Sequence, residues 1–509
     1  MSKIKNNNSS SESGISKEIK SIGQKSGIYM VGQVLSRAIG FVMIPVYTRY
    51  ISPTNYGAME LIEILASSLG IIVAINIGES MARFYYGEKE QCVRNKVVST
   101  AYIGFTIVGI PIVLVGLALT PFLGEVVSEK IEYEYILQIA FITTWFSVLC
   151  DIGFSYLRML YKAKLFVIVT LMQLFIALSL NIYLIVFLGL DILGIFYATL
   201  ISQSLAGIVL ALGILRNTKV IFSFEIFKGM IKYGLPLVPS RIAILLGFVS
   251  NRFFLRWSNV TDPVHALAQV GLFSLGHKFG LIINRFVTVP FNSYWNPRRM
   301  ELLLSDDTES RRTVARVCTY ATLVTIYAAL LLSVGIKSVI EIMASPAYLE
   351  AYIVVPFVAL AYVALGIETH FSAGIYYSKQ TKSLTYIGIL GLSVVLIWNY
   401  IFVPKYGLIG AATSNLAGFI VRTILIYKVS QRMCWIPYEI GRIGVIFIMS
   451  IMLFLLSQLI EHSSPYITFL LRTSIAMLLP FALFLVGFYT KGELEYFASI
   501  LQRRLSFIR

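Results

Sequence analysis

Charge is scarce in this chain: 13% of its 509 residues are Asp, Glu, Lys or Arg, about half the share in a typical soluble domain. Cysteine is equally thin. Cys92, Cys150, Cys318 and Cys434 are scattered, with no CxxC or Cys/His spacing, which excludes a disulfide framework and a zinc site. The four histidines form no metal pattern either, and no cofactor motif is present. The first 26 residues lack the apolar core and small-residue cleavage site of a signal peptide. Also missing is any long polar loop on the less basic side, where the largest gaps run to only about 15 residues. That leaves no room for a catalytic domain. The single acidic cluster, Asp306, Asp307 and Glu309, belongs to a solvated loop.

What the chain has is hydrocarbon. Apolar residues make up 57%, and mean hydropathy is +0.78. Apolar runs separated by short polar breaks recur from about residue 27 to residue 489. At roughly 20 residues per span, they predict about 14 transmembrane helices and an all-α, polytopic membrane protein. The net charge of +16 does not indicate nucleic acid. With both termini cytoplasmic, 30 of the 42 Lys and Arg fall on the cytoplasmic side and five on the outer side, which is the positive-inside asymmetry.

The sequence repeats with an offset of about 207 residues, so that Arg256 falls where Arg49 fell. A second echo sets Asn181 eight residues before Gly189, and Asn399 eight before Gly407, each followed by a further glycine (Gly194, Gly410). Two pseudo-repeated six-helix bundles are expected, at 27–218 and 233–430, with two additional spans within 431–489. Residues 1–26 read as a disordered cytoplasmic tail and 490–509 as a basic cytoplasmic tail. Between the bundles, 219–232 reads as an amphipathic interfacial helix on the inner leaflet, with Glu225, Lys228 and Lys232 on one face. Parallel repeats of this kind recur among transporters.

Seven basic residues fall inside spans. Arg472 sits near a helix end and can snorkel, and Arg422 lies toward the inner end of its span. Arg37, Arg241, Arg252, Lys278 and Arg285 occupy spans 1, 7 and 8 only. Arg241 and Arg252 are three turns apart, and Lys278 and Arg285 two turns, so each pair is expected to share a face. A charge at the bilayer centre costs about 2.5–3.5 kcal/mol, so five cost on the order of 12–18 kcal/mol. They must therefore face water, partner groups or a ligand, and a cationic cavity that receives an anion is the expectation. Among the acids, Asp151 on span 4 and Glu368 on span 10 lie 217 residues apart. With Glu79, they are candidates for carrying a coupling proton or sodium ion, while pairing of Asp151 with Arg158 is the competing reading.

The opening pattern SGIYMVGQVLSRAIGFVMIPVYTRYISPTNYGAMEL (26–61) and the run VPKYGLIGAATSNLAGFIVRTILIYKVSQR (403–432) resemble the bacterial polysaccharide-transport family, the Wzx-type oligosaccharide flippases. That family belongs to a superfamily with the MATE exporters and the lipid II flippases. The resemblance covers essentially the whole chain. It implies a non-enzymatic transporter that turns a polyprenyl-diphosphate-linked oligosaccharide from the inner to the outer leaflet by alternating access, in a prokaryotic plasma membrane, beside polysaccharide polymerase machinery. It also implies that basic residues on spans 1, 7 and 8 meet the diphosphate. The sequence departs from the family pattern in span 2, which offers Glu60, Glu63 and Glu79, with Arg83 only at its inner end. The alternatives are a MATE-like exporter, which would need acids where Arg37 stands, and a membrane-embedded polymerase.

Overall fold

The computed structural model describes residues 42–128, 131–218, 220–258, 262–305 and 307–495. Arg37, the 1–26 tail and most of the first expected span lie outside them, as does most of the C-terminal tail. Among the described residues there is helix and no strand, and twelve helices are long and apolar enough to cross a membrane. The all-α polytopic expectation stands, and its count of 14 is approximate. One of the twelve, Lys382–Met433, is 52 residues long and bends at Gly407 (φ 51°), so each arm is long enough for a span of its own.

The chain divides into two compact units, 1–249 and 250–509. The first contains α1 (Ile44–Tyr50), α2 (Pro53–Ala74), α3 (Ile77–Gly87), α4 (Gln91–Ala118), α5 (Thr120–Val127), α6 (Ile131–Met159), α7 (Ala163–Ile182), α8 (Asp191–Thr218), α9 (Phe224–Gly234) and the first half of α10 (Val238–Ser258). Helix α2 starts where the local chemistry says it should: Ser52 accepts from the Asn55 amide at 3.2 Å, and Pro53 fills the first position. Helix α6 runs through the centre, packed against α2, α4 and α8.

The helix α9 is amphipathic as expected, with Glu225, Lys228 and Lys232 exposed. Protein takes up much of its apolar face. Phe227 and Met230 are buried in the core formed with α3, α4 and α6, while Phe224 remains exposed. Gly104 of α4 makes the room for Phe227, since a Cβ there would collide with the phenyl ring.

The second unit contains the rest of α10, α11 (Pro263–Ile282), α12 (Val289–Leu304), α13 (Thr308–Met343), α14 (Val354–Phe371), α15 (Ala373–Tyr377), α16 (Lys382–Met433), α17 (Ile440–Gln458), α18 (Pro465–Met477) and α19 (Leu479–Leu485). Aspartates cap two of these, Asp262 on the His265 amide at 3.0 Å and Asp307 on the Ser310 amide at 3.4 Å. Helix α14 packs against α11, α13 and α16, and α13 packs against α17 and α18.

The Asn–Gly echo has a structural counterpart. Gly189 (φ 65°) and Gly407 (φ 51°) both adopt the left-handed backbone that glycine permits. Asn181 and Asn399 are both buried, and Asn399 donates to Ser250 at 3.3 Å.

Candidate functional site

In the first unit, polar groups collect around an interruption of the second span. Helix α2 stops at Ala74, Ile75 and Asn76 both take left-handed conformations (φ 42° and 56°), and α3 resumes at Ile77. An irregular backbone at membrane depth is tolerated where it is buried in protein or lines a polar cavity. Both conditions hold here. Ile75 is buried, and its carbonyl lies against Gly234 at the end of α9, where a Cβ would not fit. Beside the break lies a cavity of about 560 Å3 whose polar lining includes Asn76, Glu79, Asp151, Ser155, Arg158 and Arg241.

Three of these groups form a closed triangle. Arg241 donates to Glu79 at 2.7 Å and to the Asn76 side chain at 3.1 Å, and Asn76 donates to Glu79 at 2.8 Å. Across the cavity, Arg158 donates to Ser155 at 2.6 Å and lies over the Phe166 ring. Asp151 opens onto the same space. Two guanidinium groups and two carboxylates therefore share one cavity. Chemically, carboxylates in such a set can take up a small cation or a proton, and guanidinium groups can orient an anion.

In the second unit, the sequence-predicted cations sit in different surroundings. Arg252 is buried, donates through Nε to Ser274 at 3.0 Å and lies over the Phe273 ring. His277, one turn on, is buried beside Tyr362, with Nε2 3.3 Å from the hydroxyl. Lys278 is half-buried and Arg285 exposed. The two-turn spacing of that pair assumed an unbroken α-helix. Residues Ile283–Thr288 instead form a π turn that carries Arg285, a distortion that recurs at functional sites. The π turn also borders a cavity of about 610 Å3, lined by Phe286, Phe291, Asn292, Arg316 and His370 among others. The buried Asn292 Oδ1 and His370 Nδ1 have no hydrogen-bond partner among the described residues.

Glu368 is on α14 of the second unit. It pairs with Arg422 at 2.6 Å, the two side chains 10% and 28% exposed, and the stem of Arg422 crosses Gly391 where any side chain would collide. Asp151 and Glu79 share a cavity; Glu368 is held in a helix-to-helix ion pair. Among the described residues no group of three or more His, Cys, Asp or Glu is placed to hold a metal ion.

Sequence reasoning missed two buried cations. Arg299 is 2% exposed and donates from α12 to the Thr369 carbonyl at 2.5 Å. Arg256 is buried in the last turn of α10. Neither is among the seven in-span cations read from the sequence, because hydropathy ends a span at its last apolar run while the helix continues. The break at Ile75–Asn76 carried no signal, since neither residue is glycine or proline.

Twelve helices long and apolar enough to cross a membrane among the described residues, one of them broken and several carrying ionisable clusters, define a class: multi-pass membrane proteins. Over 94% of this chain and 99% of the other, the fold matches the lipid II flippase MurJ in an inward closed conformation, with a TM-score of 0.70 at 17% identity. An inward-facing multidrug resistance MATE family transporter of the MOP superfamily matches 82% of this chain and 98% of its own at TM-score 0.55 and 13% identity. At these identities the likeness is one of fold. Residues 22–302 match the family model described as polysaccharide biosynthesis protein, and the chain belongs to that family. A 91-residue segment is 30% identical to a protein of the Lsg locus of Haemophilus influenzae, covering 18% of this chain and 22% of that protein.

Proposed function

We propose that the protein carries a polyprenyl-diphosphate-linked oligosaccharide repeat unit from the cytoplasmic to the outer leaflet of a prokaryotic plasma membrane, by alternating access, for assembly of a cell-surface polysaccharide. The observation that carries the reading is the family match together with the placement of Arg241, Arg252, Lys278 and Arg285 on helices that cross the membrane. A diphosphate cannot cross hydrocarbon unaided. Arginine offers it charge-assisted, often bidentate donors, held loosely enough for release. Both termini are cytoplasmic in this reading. The lobes are 27–218 and 233–430, joined through 219–232, with two further spans in 431–489 and a partner in the polysaccharide polymerase machinery.

Energy enters, in the same proposal, through a proton or sodium ion at the Glu79–Asp151 cavity of the first unit. Support comes from the two acids facing one space beside a broken helix. Glu368, engaged with Arg422, is the weaker candidate.

Mass spectrometry of lipid extracts tests the assignment. Cells lacking the protein, and cells carrying Arg241→Ala or Arg285→Ala, are expected to accumulate a polyprenyl-diphosphate oligosaccharide whose sugars are shielded from an external glycosidase. An unchanged lipid pool, with altered resistance to cationic compounds, would move the protein to the exporter branch.

A further inference from the structure

A third cavity, of about 380 Å3, lies wholly within the second unit, between α13, α14, α17 and α18. Its walls are hydrocarbon, with Ile326, Leu330, Phe357, Phe447 and Phe454 among them. Two cations enter it. Arg472 is 4% exposed, and its one hydrogen bond among the described residues runs from Nε to the Ile460 carbonyl at 2.9 Å. Among the described residues, that leaves its terminal nitrogens without a hydrogen-bond acceptor. Lys337 reaches the same cavity and bridges to Glu461 at 2.8 Å. The Ser450 hydroxyl, also in the lining, is buried with no partner among the described residues. Glu461 is the acid beside them, exposed and held down by the Lys337 ammonium and, more weakly, by the charge of Arg472.

The heights agree. Lys337 lies six residues from the end of α13 and Arg472 seven residues into α18, which is about 9–10 Å at 1.5 Å per residue. Both cations therefore stand near the 459–464 turn, with the apolar wall running away from them toward mid-membrane. The cavity holds on the order of a dozen water-sized groups. That suits a single acyl chain and is small for an oligosaccharide.

We propose that this cavity binds one anionic glycerophospholipid, its phosphate on the Arg472 guanidinium and Lys337 ammonium and one acyl chain along the apolar wall. Charge complementarity chooses the occupant. A buried guanidinium with open donors is matched by a phosphate, and basic pockets between transmembrane helices take lipid head groups. The bound lipid satisfies Arg472 and Ser450 and ties α17 and α18 to α13 and α14.

The test is native mass spectrometry of the purified full chain in neutral detergent, titrated separately with phosphatidylglycerol, chain-matched phosphatidylcholine, inorganic phosphate and undecaprenyl phosphate. The expected result is one retained phosphatidylglycerol, favoured over phosphatidylcholine by about 5-fold per cation. Arg472→Gln lowers the preference about 5-fold. Ser333→Phe, which fills the cavity without touching Arg472, removes retention of both lipids. Should Arg472→Gln fail to fold, Lys337→Gln reads the same effect, with the preference reduced about 5-fold. Equal retention of the two phospholipids, or a preference that the available charge variant leaves unreduced, overturns the proposal. Displacement by inorganic phosphate at equal concentration makes it a bare anion site, and stronger retention of undecaprenyl phosphate makes it a cargo site. Either result overturns the assignment.

Discussion

The Glu368–Arg422 pair makes a quantitative prediction. Both partners lie on spanning helices, α14 and α16, at 2.6 Å with little exposure. Each has further buried capacity without a partner among the described residues, at Glu368 Oε2 and Arg422 Nε. Removing one member of a buried pair costs about 3–5 kcal/mol, because the survivor is left desolvated and uncompensated, whereas replacing both by apolar groups is often neutral. Arg422→Leu strands a carboxylate that is 10% exposed, so it should cost the full amount. Glu368→Gln leaves a guanidinium that is 28% exposed and keeps an acceptor oxygen, so it should cost less. For a unit of this size, 3–5 kcal/mol corresponds to a fall of roughly 6–20 °C in the unfolding midpoint. Glu368→Met with Arg422→Leu should recover most of it. The assay is the fraction of full chain remaining monodisperse after heating in detergent, with cargo accumulation in cells measured alongside. If the two single losses add in the double variant, the buried-pair argument is wrong. A stable double variant that no longer transports would mean Glu368 carries the coupling ion after all.

Other predictions are briefer. Glu79→Gln should change stability by less than about 1 kcal/mol, since the Arg241–Glu79 pair is half-exposed, yet it should raise cargo accumulation in the lipid-extract assay. Gly234→Ala forces a methyl group against the Ile75 carbonyl and should cost about 1–3 kcal/mol as overpacking, read as a lower midpoint. The C-terminal junction should be acid-resistant. Burial raises the Glu493 carboxyl, but the Thr490 amide, the Tyr320 hydroxyl and the Arg442 guanidinium outweigh that and hold it down to about 2. Because the folded value is depressed, its stabilising contribution is complete above the ordinary carboxylate range and disappears only as pH falls through about 2. Protection of the Thr490 amide, which donates to Glu493 at 2.8 Å, from hydrogen exchange should hold from pH 7 to pH 4 after correction for the intrinsic pH dependence, and should fall in Glu493→Ala at every pH.

The legible and illegible parts of this chain divide along physical lines. Spans were legible because hydrocarbon demands about 20 apolar residues, and the hairpin turns were legible because only glycine sits easily at Gly189 and Gly407. That Arg241 and Arg252 stand on one long helix followed from hydropathy. Their different company, Glu79 for one and Ser274 with Phe273 for the other, is tertiary and left no mark on spacing. The π turn under Arg285 and the burial of Arg299 have the same origin. Both depend on which helix lies alongside, and a periodicity argument treats each helix as alone.

The break in the second span has a consequence for how the protein is made. Left-handed backbone costs an L-residue roughly 1–2 kcal/mol, and no glycine or proline at positions 75 and 76 asks for it. Residues 53–87 on their own therefore prefer one straight rod. What holds the bend includes Arg241 on the Asn76 side chain and Gly234 against the Ile75 carbonyl, both more than 150 positions further along the chain. On the ribosome, the second span emerges well before the groups that deform it. It enters the bilayer straight and acquires its crook only when the later segment arrives, which makes the bend a late step of biogenesis and a marker for whether the first unit has finished assembling.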